Sequence, residues 1–305
     1  MTTPVSAVPF SEGGFAAGRL SSTRPFYWSV RRELWEYRSI YVAPLIAGAV
    51  FLLGDGISLL YTLGAWGRPG SFQDVHLQQT MAHFDVASGL IMAVAFVIAI
   101  FYSLGALSNE RGDRSILFWK SMPVSDLTTV VSKAVIPILV IPLIAFVVTF
   151  VTQWAMLLIS SAVYAFHGLP AAEPWREVHF LSSTLGLLSH LLLIHGLWYA
   201  PFYGWLLLVS AWARRAPFLW AALPILVIAG VEKIAFNTTH FLKFLGDRIG
   251  GGGLGDPFLS SKMGMEGMTH DPLPFFLSPG LWVGLVVAGV MLFAASWCRQ
   301  RRMPL

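Results

Sequence analysis

Six stretches of about twenty consecutive apolar residues, separated by polar breaks, constrain this chain more than any other feature. They fall at roughly 39–61, 84–107, 131–155, 181–209, 216–236 and 279–297. Each can cross a hydrocarbon core of ~30 Å at ~1.5 Å per helical residue. The third, which can continue to Phe166, and the fourth are longer than one crossing needs, so tilt or projection beyond the bilayer is expected. Charged residues make up only 12% of the 305 positions and hydrophobic ones 56%, whereas a soluble domain carries about 25% charge. That is too little charge to solvate a globular surface, so lipid must be the main solvent. The expected fold class is therefore an all-α integral membrane protein with six transmembrane helices. Twelve Trp and eight Tyr suit a protein that needs interfacial anchors. The single cysteine, Cys298, excludes a disulfide framework or a Cys-based metal cluster within the chain.

The polar segments divide the rest. Residues 1–24 are rich in Ser, Gly, Ala and Thr and read as a flexible tail. The first ~38 residues are polar and Arg-containing, with no short apolar core followed by a small-residue cleavage site, so no cleaved signal peptide is expected and the first apolar segment should stay as an anchor. Residues 25–38, PFYWSVRRELWEYR, place Phe26, Val30, Leu34 and Tyr37 at spacings of three and four. Arg31, Arg32, Glu33, Trp35 and Glu36 lie between them, the pattern of an amphipathic helix in the membrane interface. A plain helical lead-in to the first span is the alternative. The transmembrane domain then covers 39–298, with an outer loop at 237–278 and a short tail at 299–305.

Lys and Arg set the orientation. Fourteen of the twenty lie on the side that receives the N-terminal tail, the loop after the second span, Arg214 and Arg215, and the C-terminus. The other side holds Arg68, Arg176, Lys233, Lys243, Arg248 and Lys262. The excess marks the first side as cytoplasmic. Both termini then share that side, as an even number of spans requires.

Catalytic signatures are missing. No GxxxxGK[ST], HExxH or GxSxG occurs, so the chain has no P-loop and enzymatic function has no positive support. A zinc site from His179, His190 and His195 is disfavoured, because the eight histidines are scattered. Polar groups inside spans are the default functional candidates, which singles out Asp55, Gln153, His190 and His195 as possible pathway residues. An offset of five puts His190 and His195 roughly 140° apart on an α-helix, so they are expected on different faces. Interhelical hydrogen bonding is the bland reading of these groups. Gly280 and Gly284 form a GxxxG that permits close helix packing. Pro137, Pro142 and Pro224 are expected to kink their spans, and Glu232 with Lys233 reads as an interfacial charge pair.

The loop at 109–130 differs from a plain connector. Ile116, Leu117, Phe118 and Trp119 form a bulky apolar cluster flanked by Arg111, Asp113, Arg114 and Lys120, and Ser125 or Asp126 can cap the helix into the third span. An apolar knob ringed by charge can dock in a groove on a partner; insertion of Phe118 and Trp119 among lipid headgroups is the alternative.

With RRELWEYRSIYVAP ahead of the first span and YSLGALSNERGDRSILFWKSMPVSDLTTVVSK after the second, the chain resembles the ABC-2 type transporter permeases, the membrane subunits of bacterial ABC exporters. The resemblance covers most of the chain, and ERGDRSILFWKSMPVSD is its specific part. It implies an elbow helix carrying Arg31, Arg32, Glu33 and Trp35. It also implies a cytoplasmic coupling helix, with Glu110, Arg111, Asp113, Arg114, Phe118, Trp119 and Lys120 facing a separate ATP-binding subunit. No cofactor is then expected in this chain, since ATP and Mg would sit in that subunit. A second permease chain and the bacterial inner membrane would complete the assembly, with no nucleic acid. Such permeases often carry short re-entrant helices between the fifth and sixth spans. The Gly-rich, charged 237–278 segment departs from that, although its apolar piece at 274–277 can insert. A secondary transporter or channel needing no ATPase, or a membrane scaffold or immunity protein, is the alternative.

Overall fold

The computed structural model describes residues 23–65, 69–112, 125–166, 168, 170–177, 180–250 and 273–301. Among these, every regular element is helical. In chain order they are α1 (Thr23–Glu36), α2 (Ser39–Ala65), α3 (Pro69–Gly105), α4 (Ser108–Gly112), α5 (Asp126–Val135), a π-helical segment π1 (Ile136–Val140) and α6 (Ile141–Phe166). Then come α7 (Glu173–Glu177), α8 (Phe180–His190), a second π-helical segment π2 (Leu191–Trp198), α9 (Ala200–Trp212), α10 (Pro217–Phe236), α11 (His240–Gly250), α12 (Leu273–Leu277) and α13 (Pro279–Arg301).

Six of these stretches are long and apolar enough to cross a membrane: Ser39–Leu59, Ala82–Arg111, Asp126–Phe166, Phe180–Trp198, Pro217–Phe236 and Pro279–Arg301. They match the six apolar runs, with one correction. The run at 181–209 is not a single helix. It breaks at Tyr199, whose ψ of 1° leaves the helical range, and α9 continues beyond as a separate apolar helix.

The prolines of the third span act through register. Pro137 and Pro142 each lack a backbone donor. At this point the ladder widens, and the Ile141 N–H bonds the Ile136 carbonyl five residues back. The second π segment ends the same way, with Tyr199 N–H on the Ile194 carbonyl at 3.1 Å. The two widened segments pack on each other at Gly196. A Cβ there would stand 2.6 Å from the Ile138 carbonyl oxygen, so only glycine allows the approach.

The core runs through the centre of the bundle. Ile91, Ala95, Ala99 and Tyr102 of α3 meet Ala134, Ile136, Ile141 and Ala145 of the third span, Leu191 of π2, and Tyr203 and Leu207 of α9. Alanines four apart on α3 let backbones come close, which is how helices associate where lipid offers no hydrophobic drive. Helix α9 packs along α13, with Gly204 against Ala288. Helix α10 is peripheral, and Ala221 is its only buried residue. The apolar stripe of α1 docks on this core: Val30, Leu34 and Tyr37 all pack against it. The outward face of α1 instead carries Trp28 and Trp35, with the Arg31 guanidinium over both rings at 5.0 and 4.8 Å.

Candidate functional site: a buried ion cluster at one end of the bundle

Glu33 lies on the same face of α1 as Val30 and Tyr37, at helical spacings of three and four, so docking that stripe carries a carboxylate into the protein. It is 1% exposed, and a buried charge must be matched by partners. Lys133 of α5, itself 1% exposed, supplies one: its Nζ lies 2.8 Å from Glu33 Oε1. The Tyr102 hydroxyl of α3 donates to Glu33 Oε2 at 2.9 Å. Lys133 Nζ also reaches Glu110 Oε1 at 3.1 Å. Glu110, on α4, accepts from Arg32 Nη2 at 3.0 Å and from Arg299 Nη1 of α13 at 2.6 Å. Arg299 Nε then closes on Asp126 Oδ1 at 2.8 Å.

Three cations (Arg32, Lys133 and Arg299) thus face three carboxylates (Glu33, Glu110 and Asp126), with half-exposed Glu36 at the rim 3.6 Å from Arg32. Burial opposes the charge of Arg32, but the carboxylates of Glu33 and Glu110 outweigh it and hold its pKa above the ordinary value. Burial, helped by the same carboxylates, pushes the Tyr37 hydroxyl up to about 12. Tyr37 therefore stays neutral, and it accepts from the Asn109 side-chain amide at 3.2 Å.

A second polar tie lies beside the first. The chain turns at Ala106 and Leu107 between α3 and α4, which frees backbone groups. Ser210 of α9, fully buried, satisfies them: its Oγ accepts from the N–H groups of Leu107 (3.0 Å) and Ser108 (3.1 Å) and donates to the Leu104 carbonyl (2.7 Å). Arg111 donates to the carbonyls of Ser210 and Ala213 (2.8 Å for the latter). It thereby caps the C-terminal end of α9, where a cation suits the helix dipole. Further along the chain, Ser125 is the N-cap of α5, accepting from Thr128 N–H at 3.1 Å.

Two expectations from the sequence are corrected by this geometry. Glu110 and Arg111, expected on an exposed partner-facing surface, both point into the bundle, Glu110 because three cations surround it and Arg111 because it caps α9. Asp113, Arg114, Phe118, Trp119 and Lys120 lie outside the described residues, as does His179. Within the first helix, Arg32 and Glu33 belong to the buried cluster, while Arg31 and Trp35 form the outward ladder.

The pathway candidates do not converge. Asp55 Oδ1 lies 2.6 Å from His83 Nδ1. Buried Gln153 sits with its amide 3.5 Å from the Phe84 carbonyl. His195 lies elsewhere, against Phe96 and Tyr199, with His190 beside it. Phe96 is twelve residues along α3 from Phe84, about 18 Å away. Their expected separation onto different faces is overturned: the ring centroids are 5.8 Å apart. The segment between them is π-helical, and its wider turn, with i→i+5 hydrogen bonds, brings positions five apart much closer to one face than an α-helix does. No group of three His, Cys, Asp or Glu able to hold a metal occurs among the described residues.

The opposite end of the bundle is built differently. Glu232 is not paired across the interface with Lys233. It caps α11 instead, accepting from the N–H groups of His240 (2.6 Å) and Phe241 (2.9 Å) and from the Thr238 hydroxyl (2.8 Å). Helix α11 then lays Arg248 over the Trp198 ring, 3.6 Å from its centroid. Arg248 donates to the carbonyls of Gly280 (3.1 Å) and Trp198 (3.0 Å), and the Trp198 indole donates back to the Arg248 carbonyl at 2.8 Å. The GxxxG notch of α13 is therefore filled by an arginine as well as by a neighbouring helix, since a Cβ on Gly284 would run into this guanidinium and approach Pro201. The short helix α12 adds Phe275, buried against Trp198 and Leu281.

No protein-family model, curated protein or solved structure matches this chain.

Proposed function

We propose that this chain is the permease subunit of an ABC-type exporter, working with a separate ATP-binding subunit. One observation carries the reading: the ion cluster grips both flanks of the 113–124 segment at once. Glu110 before that segment and Asp126 and Lys133 after it are locked to α1 and to α13, and Arg111 adds α9. A load applied to the segment has no slack at its ends, so it passes to the first helix and to the second, third and last spans together. The absence of a P-loop in this sequence means that such a load comes from another protein.

On this reading the cluster end faces the cytoplasm of a bacterial inner membrane, where the excess of Lys and Arg belongs. Helix α1 is the elbow, and the 113–122 region, with Asp113, Arg114, Phe118, Trp119 and Lys120, is the coupling helix. ATP and Mg are bound by the partner, and two permease chains enclose the pathway. The test is affinity purification of the tagged chain from its native membranes. The expected result is a stoichiometric P-loop ATPase, whose hydrolysis is uncoupled from transport by Trp119→Asp or Arg114→Glu without loss of membrane insertion. Cargo movement by the purified chain alone, without nucleotide, would overturn the reading.

A further inference from the structure

Between α9, α10, α11 and α13 lies a cavity of about 900 Å³. That is at the upper end of the ~300–1,000 Å³ typical of ligand sites. Its walls are apolar and aromatic, with Trp205 on α9, Ile228 on α10, Phe244 on α11, and Val287 and Met291 on α13. Arg248 brings a formal charge to this wall, and its guanidinium is fixed by the Trp198 ring and two carbonyls. Gly280 is bonded to that arginine, while Met291 lies eleven residues further along α13, about 16 Å away. The cavity is therefore long as well as large, with its cation at one end and hydrocarbon-like walls beyond.

We infer that this cavity is a binding site for an amphiphile with an anionic head and an acyl chain, the head beside Arg248 and the chain running toward Met291. Charge complementarity selects the head: a positive group held in place inside an apolar wall favours a carboxylate or phosphate over a neutral polar group. The wall selects the chain, because burying methylene groups among Trp205, Phe244 and Val287 is favourable and demands no polar partner. Two sources offer this chemistry, a free fatty acid and an anionic membrane phospholipid. Binding here requires no second protein, so its outcome is separable from that of the permease reading.

The experiment uses the full chain in phosphatidylcholine nanodiscs with 12-(9-anthroyloxy)stearic acid as probe, read by energy transfer from tryptophan. Saturable binding of one probe per chain is expected, with the methyl ester weaker by about ten-fold or more, the size of one charge-assisted hydrogen bond. Arg248→Gln should erase the preference for the acid. Because Arg248 also packs α11 against α13, Val287→Trp provides the second arm: about 10 Å along α13 from Gly280, it keeps the arginine, narrows the apolar part of the cavity and should remove saturable binding. Displacement by phosphatidylglycerol placed in the nanodisc identifies the membrane lipid as the source, and displacement by oleate alone identifies the free acid. Equal affinity for acid and ester, or unchanged binding in Val287→Trp, would overturn the site.

Discussion

The two ends of this bundle solve one problem with opposite chemistry. At one end Glu33, Glu110, Asp126, Arg32, Lys133 and Arg299 hold α1, α4, α5 and α13 together by mutual neutralisation in a buried space. At the other, Arg248 joins α11 to the start of α13 through an aromatic face and two neutral carbonyls, beside an open apolar cavity. Last-span residues Gly280 and Arg299, about 28 Å apart along the helix, belong to one system each. The difference lies in how each end tolerates change. A closed set of matched charges has few alternative arrangements, so it transmits a displacement. An arginine held by a ring and two neutral carbonyls is the tip of one long side chain, and it can swing aside without moving a helix backbone.

The sharpest way to break that comparison is to unbalance the charged end. Lys133→Met leaves two cations facing three carboxylates, with Glu33 and Glu110 still buried. Removing one member of a buried ion set typically costs about 3–5 kcal/mol. The thermal midpoint of the purified protein in detergent should therefore fall further than for Gly196→Ala, Ser210→Ala or Gly284→Ala. Adding Glu33→Leu restores the balance, with Arg32 and Arg299 then facing Glu110 and Asp126. The double variant should recover part of that loss, since a buried pair replaced by apolar groups is often neutral. A double variant less stable than Lys133→Met alone would show that matching of charge does not hold this end together.

Between the ends lies the joint where π1 and π2 touch. Gly196→Ala drives a methyl group to within 2.6 Å of the Ile138 carbonyl oxygen. Backbone cannot swing aside as a side chain can, so an overpacking cost of about 3 kcal/mol is expected, read again in the thermal midpoint. An unchanged midpoint would mean that the two widened segments slide freely on each other.

How much of the molecule is legible in its sequence follows from which forces are local. The all-helical class and the six membrane-length stretches are readable, because lipid imposes a minimum apolar length and hydrogen-bonds nothing. The Ser125 cap is readable for the same reason: its chemistry spans four residues. The ion cluster is not. Glu33, Glu110, Lys133 and Arg299 are up to 266 residues apart, and only tertiary packing brings them to one depth. One signal does exist: Glu33 interrupts the apolar stripe of α1 at helical spacing, which demands a buried cation somewhere. Nor is the π register visible, since two prolines five apart predict a disturbed ladder without saying which way it relaxes. A regular α-helical register places His190 and His195 on different faces, and the widened one brings them together.

A milder test of the charged end is Ser210→Ala. The hydroxyl accepts from two backbone N–H groups where α3 gives way to α4, and its removal leaves both donors without that acceptor. A loss of about 2 kcal/mol is expected, with faster hydrogen exchange confined to Leu107 and Ser108. Exchange rates matching the unmodified protein would show that the turn is held by Arg111 and Glu110 alone.

The smallest effect is expected at the other end, from Gly284→Ala. Its new methyl group meets the Arg248 guanidinium and approaches Pro201, but the guanidinium is the tip of a long side chain on the cavity wall and can swing aside where backbone cannot. The cost should therefore stay near 1 kcal/mol, the low end of the overpacking range, although Gly284 and Gly196 both sit in tight helix contacts. The consequence falls on charge rather than on stability. Displaced from the carbonyls of Gly280 and Trp198, the guanidinium no longer holds one position, and discrimination between an acid and its ester in the cavity should weaken while the thermal midpoint barely moves. A large fall in the midpoint would mean that the Arg248 cradle is as rigid as the ion cluster, and the contrast between the two ends would disappear.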